Sequence, residues 1–170
     1  MKKKVLIVAT LTSIAGIFGP PAMAAGVLVR FDGGIGEDPV AGIDTSTTPP
    51  SPVRNDVEGV TPGGRTWVIK DLDAKVMKDG HIRVTGKGLL LAATNAVGTA
   101  GGVTQVGATL YCGGAPYSVG PVPLDQDGDF QINGMLDSTP PNPCTTPVLL
   151  IRNDPGGVLG SWFAAGILKD

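Results

Sequence analysis

Thr104-Gln105-Val106-Gly107-Ala108-Thr109-Leu110-Tyr111-Cys112 is the stretch that decides the fold class. Val106, Ala108, Leu110 and Cys112 fall on one side of an extended chain, and Gln105, Gly107, Thr109 and Tyr111 on the other. Alternation with period two is the pattern of a strand that lays one face on a core. The strand ends in one of only two cysteines. The other, Cys144, stands just before the apolar run Val148-Leu149-Leu150-Ile151. A bond between them would tie the middle of a sheet to its C-terminal third.

The N-terminus sets the compartment in which that bond could form. Lys2, Lys3 and Lys4 make a positive leader, residues 5–18 are apolar, and Gly19-Pro20-Pro21 breaks any helix. Ala22-Met23-Ala24 fits the small-x-small rule, which predicts a signal peptide over residues 1–24 cut between Ala24 and Ala25. The apolar stretch is too short for the ~20 residues of a spanning helix. Residues 25–170 are then expected to form a single domain, exported to the periplasm or the medium. In that setting Cys112 and Cys144 are expected to pair, adding roughly 3–4 kcal/mol by loop entropy.

The chain has 13 basic and 15 acidic side chains. Losing the three leader lysines leaves ten basic against fifteen acidic groups, with no basic run in the mature sequence. This predicts neither nucleic acid nor membrane insertion for the mature chain. The 26 glycines and 15 prolines sit between frequent apolar runs, which suits short strands joined by many turns.

Register follows from matching apolar faces. A three-residue loop Lys78-Asp79-Gly80 sets Val76 against Ile82 and Ala74 against Val84, at the cost of placing Lys75 opposite Arg83. The same arithmetic around Gln126-Asp127-Gly128 sets Leu124 against Phe130 and Val122 against Ile132. Asp32-Gly33-Gly34-Ile35-Gly36 reads as a turn, since Glu37-Asp38-Pro39 would repel phosphate there. A phase change near Lys70-Asp71 predicts a break, and Leu89-Leu90-Leu91 a segment covered on both faces or crossing between sheets. Residues 42–65, rich in Thr, Pro and Gly around Thr48-Pro49-Pro50-Ser51-Pro52, read as an irregular loop of polyproline-like coil. About nine short strands and one disulfide predict an antiparallel β-sandwich. An outer-membrane barrel is the rival, and the few aromatic residues cannot supply its girdles.

Residues able to do chemistry are few. His81 is the only histidine, beside a hairpin turn on the expected solvent face, and no Gly-x-Ser-x-Gly elbow accompanies it. Glu37 and Glu58 are the only glutamates, and their spacing signals no carboxylate pair. Asp125, Asp127 and Asp129 put three carboxylates within five residues, a donor set suited to calcium. Glycine in fourth place and Leu136 in twelfth break the EF-hand pattern, and Asp127-Gly128 is also ordinary turn chemistry.

These features together predict a non-enzymatic exported β-sandwich that binds an unidentified protein or glycan, or serves as a structural surface component. A calcium-supported carbohydrate- or protein-binding module using Asp125, Asp127 and Asp129 is the alternative. A small hydrolase built on His81 stands behind both. No cofactor other than that calcium is expected.

Overall fold

The computed structural model describes residues 26–169. The expected signal segment and its Ala24–Ala25 junction lie outside them. The described chain is all β and antiparallel, with twelve strands rather than nine. In order they are β1 (Val27–Gly36), β2 (Val40–Asp44), β3 (Ser51–Arg54), β4 (Trp67–Val68), β5 (Asp71–Met77) and β6 (His81–Lys87). Then come β7 (Leu90–Leu91), β8 (Gln105–Cys112), β9 (Ala115–Pro123), β10 (Phe130–Met135), β11 (Val148–Asn153) and β12 (Trp162–Leu168). Eight of them form one sheet in the order β10-β6-β5-β1-β12-β11-β8-β9, while β2-β3 and β4-β7 are separate ribbons.

The large sheet folds over its own apolar face in a sandwich-like, nearly closed wrap. Phe31, Leu72, Ile82, Leu110, Ile132 and Ile151 are all buried on the inside. Each such side chain removed from water contributes about 1.5–3 kcal/mol before entropy is counted. The alternation in β8 places Val106, Ala108, Leu110 and Cys112 in this core. The opposite face of β8 is covered as well. Tyr111 joins Leu150, Trp162 and Val60 in a second apolar cluster outside the sheet.

The cover comes from the chain on the C-terminal side of β3. Val57 pairs with Val60, Pro62 bridges Trp162, and the Trp162 indole N–H donates to Asn55 O at 3.1 Å. Residues 42–65 are therefore not one irregular loop. Their first part belongs to the β2-β3 ribbon, closed by Asp44, whose carboxylate accepts from the Ser46 N–H and hydroxyl. The polyproline reading gives way because these local bonds and the β2 ladder hold the prolines at the tip and start of β3.

The β5-β6 hairpin has the register expected from its sequence, with Val76↔Ile82, Ala74↔Val84 and Lys75↔Arg83. Gly80 supplies the positive φ of 90° that the loop requires. The break at Lys70-Asp71 separates β4 from β5. Leu89 and Leu91 are buried where the chain leaves the large sheet and β7 pairs with β4.

Two further expectations are corrected. The glycine cluster after Phe31 is not a turn: β1 runs through it to Gly36, with a bulge between Phe31 and Gly34. Gly34 and Gly36 are needed because β4 and its flank press against them. A Cβ on Gly36 would fall 2.7 Å from Val68 Cα and closer still to Trp67 O, and one on Gly34 would meet Ile69 Cγ2 at 2.7 Å.

The second correction concerns the loop at Gln126-Asp127-Gly128. Gly128 takes a positive φ of 78°, and Asp125 N–H donates to Asp129 O at 3.1 Å, so the turn forms. The ladder beyond it does not. β9 pairs with β8, and β10 pairs with β6, setting Ile132 against Val84. Leu124 N–H is turned to Thr104 O on the β8 side. Alternation then points position 123 toward β10, where Pro123 has no N–H to give. Hydrogen bonds join the two edge strands again at their far ends, where Asp137 N–H donates to Ser118 O and Ser118 N–H to the Asp137 carboxylate.

A disulfide joins Cys112 at the end of β8 to Cys144 before β11, 32 residues on, as expected. Among the described residues no helix is long and apolar enough to cross a membrane.

Candidate functional site

The three aspartates of the 125–129 turn are placed by hydrogen bonds of their own. Asp125 Oδ1 accepts from Asp127 N–H at 2.9 Å and Asp129 N–H at 2.8 Å. Asp129 Oδ1 accepts from Gly88 N–H at 2.9 Å, which pins the turn to the end of β6. These carboxylates organise backbone, and among the described residues no group of three His, Cys, Asp or Glu side chains is arranged to hold a metal ion. Open depressions of about 440 and 530 Å³ flank the turn.

His81 sits half-buried at the start of β6, opposite Met135 of β10. It shares a depression of about 210 Å³ with Lys75, Met77 and Arg83. Neither a carboxylate nor a hydroxyl lines that depression. A general base needs a group to orient it and a nucleophile to activate; the neighbouring Asp79 carboxylate accepts the His81 main-chain N–H at 3.0 Å, and among the described residues no hydrogen bond reaches the imidazole.

Two buried acids escaped the sequence reading. Glu37, 1 % exposed, follows β1; its N–H donates to Phe163 O at 3.0 Å and its carbonyl accepts from Trp67 N–H at 2.9 Å. The rings of Trp67 and Phe163 stack at 4.3 Å. Neither carboxyl oxygen of Glu37 has a hydrogen-bond partner. Burial, then the charge of Asp38, pushes its pKa up to about 8. Asp154 is 2 % exposed with Oδ1 unpartnered, and burial raises its pKa too. Both acids are sealed from solvent, so neither is presented to a substrate. Their burial depends on Gly63, Phe163, Gly107 and Gly120, all distant in sequence from the acid they cover or close by only across strands. Nothing local to Glu37 or Asp154 signals it.

No family model, no curated protein and no solved structure matches this chain.

The β2-β3 ribbon differs from every other part of the sheet system. Apart from Asp44 and Ser51, each of its residues is exposed, and its strands pair only with each other. Ile43 is 60 % exposed, and Val40 and Val53 are close to half exposed. Its base is held firmly: Asn55 N–H donates to Pro39 O, and the Asn55 amide to Asp38 O. An isolated two-stranded hairpin is marginal in water. This one is tethered at the root and leaves two strand edges and three aliphatic side chains unused by the rest of the described chain. The β3 edge carries Pro52, which lacks an N–H; the β2 edge from Val40 to Asp44 carries no proline. Such an edge is a template for another extended strand.

Proposed function

We propose that the chain is an exported, non-enzymatic binding module whose β2-β3 ribbon takes up an extended segment of a partner protein alongside β2. The observation that carries this reading is the ribbon itself, standing clear with an unpaired, proline-free edge and Ile43 exposed. Main-chain pairing to such an edge supplies affinity, and pockets beside alternate side chains supply selectivity. The leader-like N-terminus and the Cys112–Cys144 bond support an oxidising, extracytoplasmic setting. The lone histidine without an orienting acid, and two acids without access, give catalysis no support.

The test is site-specific crosslinking on the intact protein in its native cells. A photoreactive residue at position 43 should give a discrete adduct that disappears when Ala41→Pro puts a proline into the β2 edge. The same probe at Lys70, on the body, should give none. Adducts that are equal at both positions, or indifferent to Ala41→Pro, would rule the ribbon out.

A further inference from the structure

The mature sequence has no basic run, yet the ladder assembles one. Arg30 of β1 lies opposite Lys75 of β5, and Lys75 lies opposite Arg83 of β6. Lys169 continues the row past β1, its N–H donating to Arg30 O at 3.0 Å. The inward positions Val29, Phe31, Ala74, Val76, Ile82 and Val84 are buried, so by alternation all these cations lie on the outer face. Among the described residues only Lys169 of the four has a carboxylate partner, Asp32. Like charges set directly opposite one another destabilise a sheet. Two consecutive pairs of that kind occur here, in a register enforced by the core beneath them.

We propose that this row is an anion-binding site, in which Lys75 and Arg83, with Arg30 and His81 beside them, take the sulfate or carboxylate groups of an acidic glycan chain. Lys75, Met77, His81 and Arg83 already line a depression of about 210 Å³ at this point. The cations repeat at the spacing of neighbouring strands, about 4.8 Å, so they meet a linear chain of anionic units lying across the strands. The acidic groups on the same face decide the shape of the partner. Asp32 lies opposite Asp73 in the next row along, on the side away from Met77 and His81. A broad anionic surface, such as a bilayer or a nucleic acid duplex, would press on those carboxylates while it met the cations. A single chain laid along the cation row avoids them.

Titration calorimetry of the disulfide-bonded protein tests this with four probes: dextran sulfate oligosaccharide, oligogalacturonate, neutral dextran, and vesicles containing phosphatidylglycerol. One or both acidic oligosaccharides should bind, more weakly as salt is added, while neutral dextran and vesicles should not. Lys75→Glu and Arg83→Gln should each weaken binding roughly tenfold or more, the loss of one charge-assisted hydrogen bond. Arg65→Gln, which removes a charge elsewhere, should leave affinity within about twofold. Lys75→Glu places an acid between two cations and keeps the fold, so its loss of binding is not a loss of structure. The proposal fails if neither acidic oligosaccharide binds, or if Arg65→Gln weakens binding as much as Lys75→Glu. It fails equally if vesicles bind and the oligosaccharides do not.

Discussion

The main-chain N–H of Glu37 donates to the carbonyl of Phe163 at 3.0 Å, and that bond draws the Glu37 carboxyl into a buried compartment whose nearby donor, the Gly63 N–H, is already bonded to Trp162 O. Both flanking strands are fixed by the sheet, so the acid cannot swing out to water without breaking the junction of β1, β4 and β12.

Stability should therefore fall as pH rises through neutrality. In the unfolded chain a glutamate ionises near its ordinary value of about 4.3; in the folded chain Glu37 does so at about 8. Between those values the folded state holds the extra proton, so raising pH favours unfolding; below both, the two states hold it alike and nothing is lost. Asp154, also raised by burial, acts with the same sign. Glu37→Gln keeps the shape and cannot ionise, so it should stabilise the protein by on the order of 1–3 kcal/mol near pH 8.5 and by little near pH 5. Urea unfolding at the two pH values checks this; parallel pH slopes for both proteins would refute it.

Calcium should not move the melting temperature. The Asp125 and Asp129 carboxylates already accept backbone N–H groups, so Asp125→Ala should cost about 1–2 kcal/mol equally in calcium and in chelator. A rise of several degrees in calcium, abolished by Asp125→Ala, would instead show a metal site at the turn.

Replacing Lys75 by Glu should stabilise the fold. The acid would face Arg30 on one side and Arg83 on the other, and each cross-strand pair gained contributes about 0.2–1 kcal/mol. Chemical denaturation at low salt reads the gain directly, and the gain should shrink as salt is raised.

Gly36→Ala should cost more than about 2 kcal/mol, since the methyl group would meet the main chain of Trp67 and Val68 rather than a side chain that can rotate away. Gly42→Ala, in the exposed ribbon with nothing within 4 Å, should stay within about 0.5 kcal/mol. Comparable losses at the two positions would mean that β4 does not press on β1 as described.

Reduction should expose the contribution of the Cys112–Cys144 bond. Cys112→Ser with Cys144→Ser should lose roughly 3–4 kcal/mol, the entropy of a loop of about 32 residues, measured as a lower urea midpoint with an unchanged slope.

Features that depend on near neighbours in the chain were legible before folding was considered. Alternation in residues 104–112 marked the core face of β8, and matching apolar faces across Asp79-Gly80 set the β5-β6 register. Two cysteines among strands pointed to the disulfide. The same reasoning failed at Asp127-Gly128 because Pro123 withholds a donor from a strand that the turn alone would have paired. It failed at Asp32-Gly33-Gly34-Ile35-Gly36 because Gly34 and Gly36 answer to β4 and its flank, more than thirty residues away. The candidate sites lie almost wholly on that second side. The misfit of Lys75 and Arg83 was legible, but Arg30 joined them only through the β1-β5 ladder, and the sealing of Glu37 arose from Gly63 and Phe163. Local pattern records which way a side chain faces; only the tertiary ladder decides which distant charges share that face and which acids lose their water.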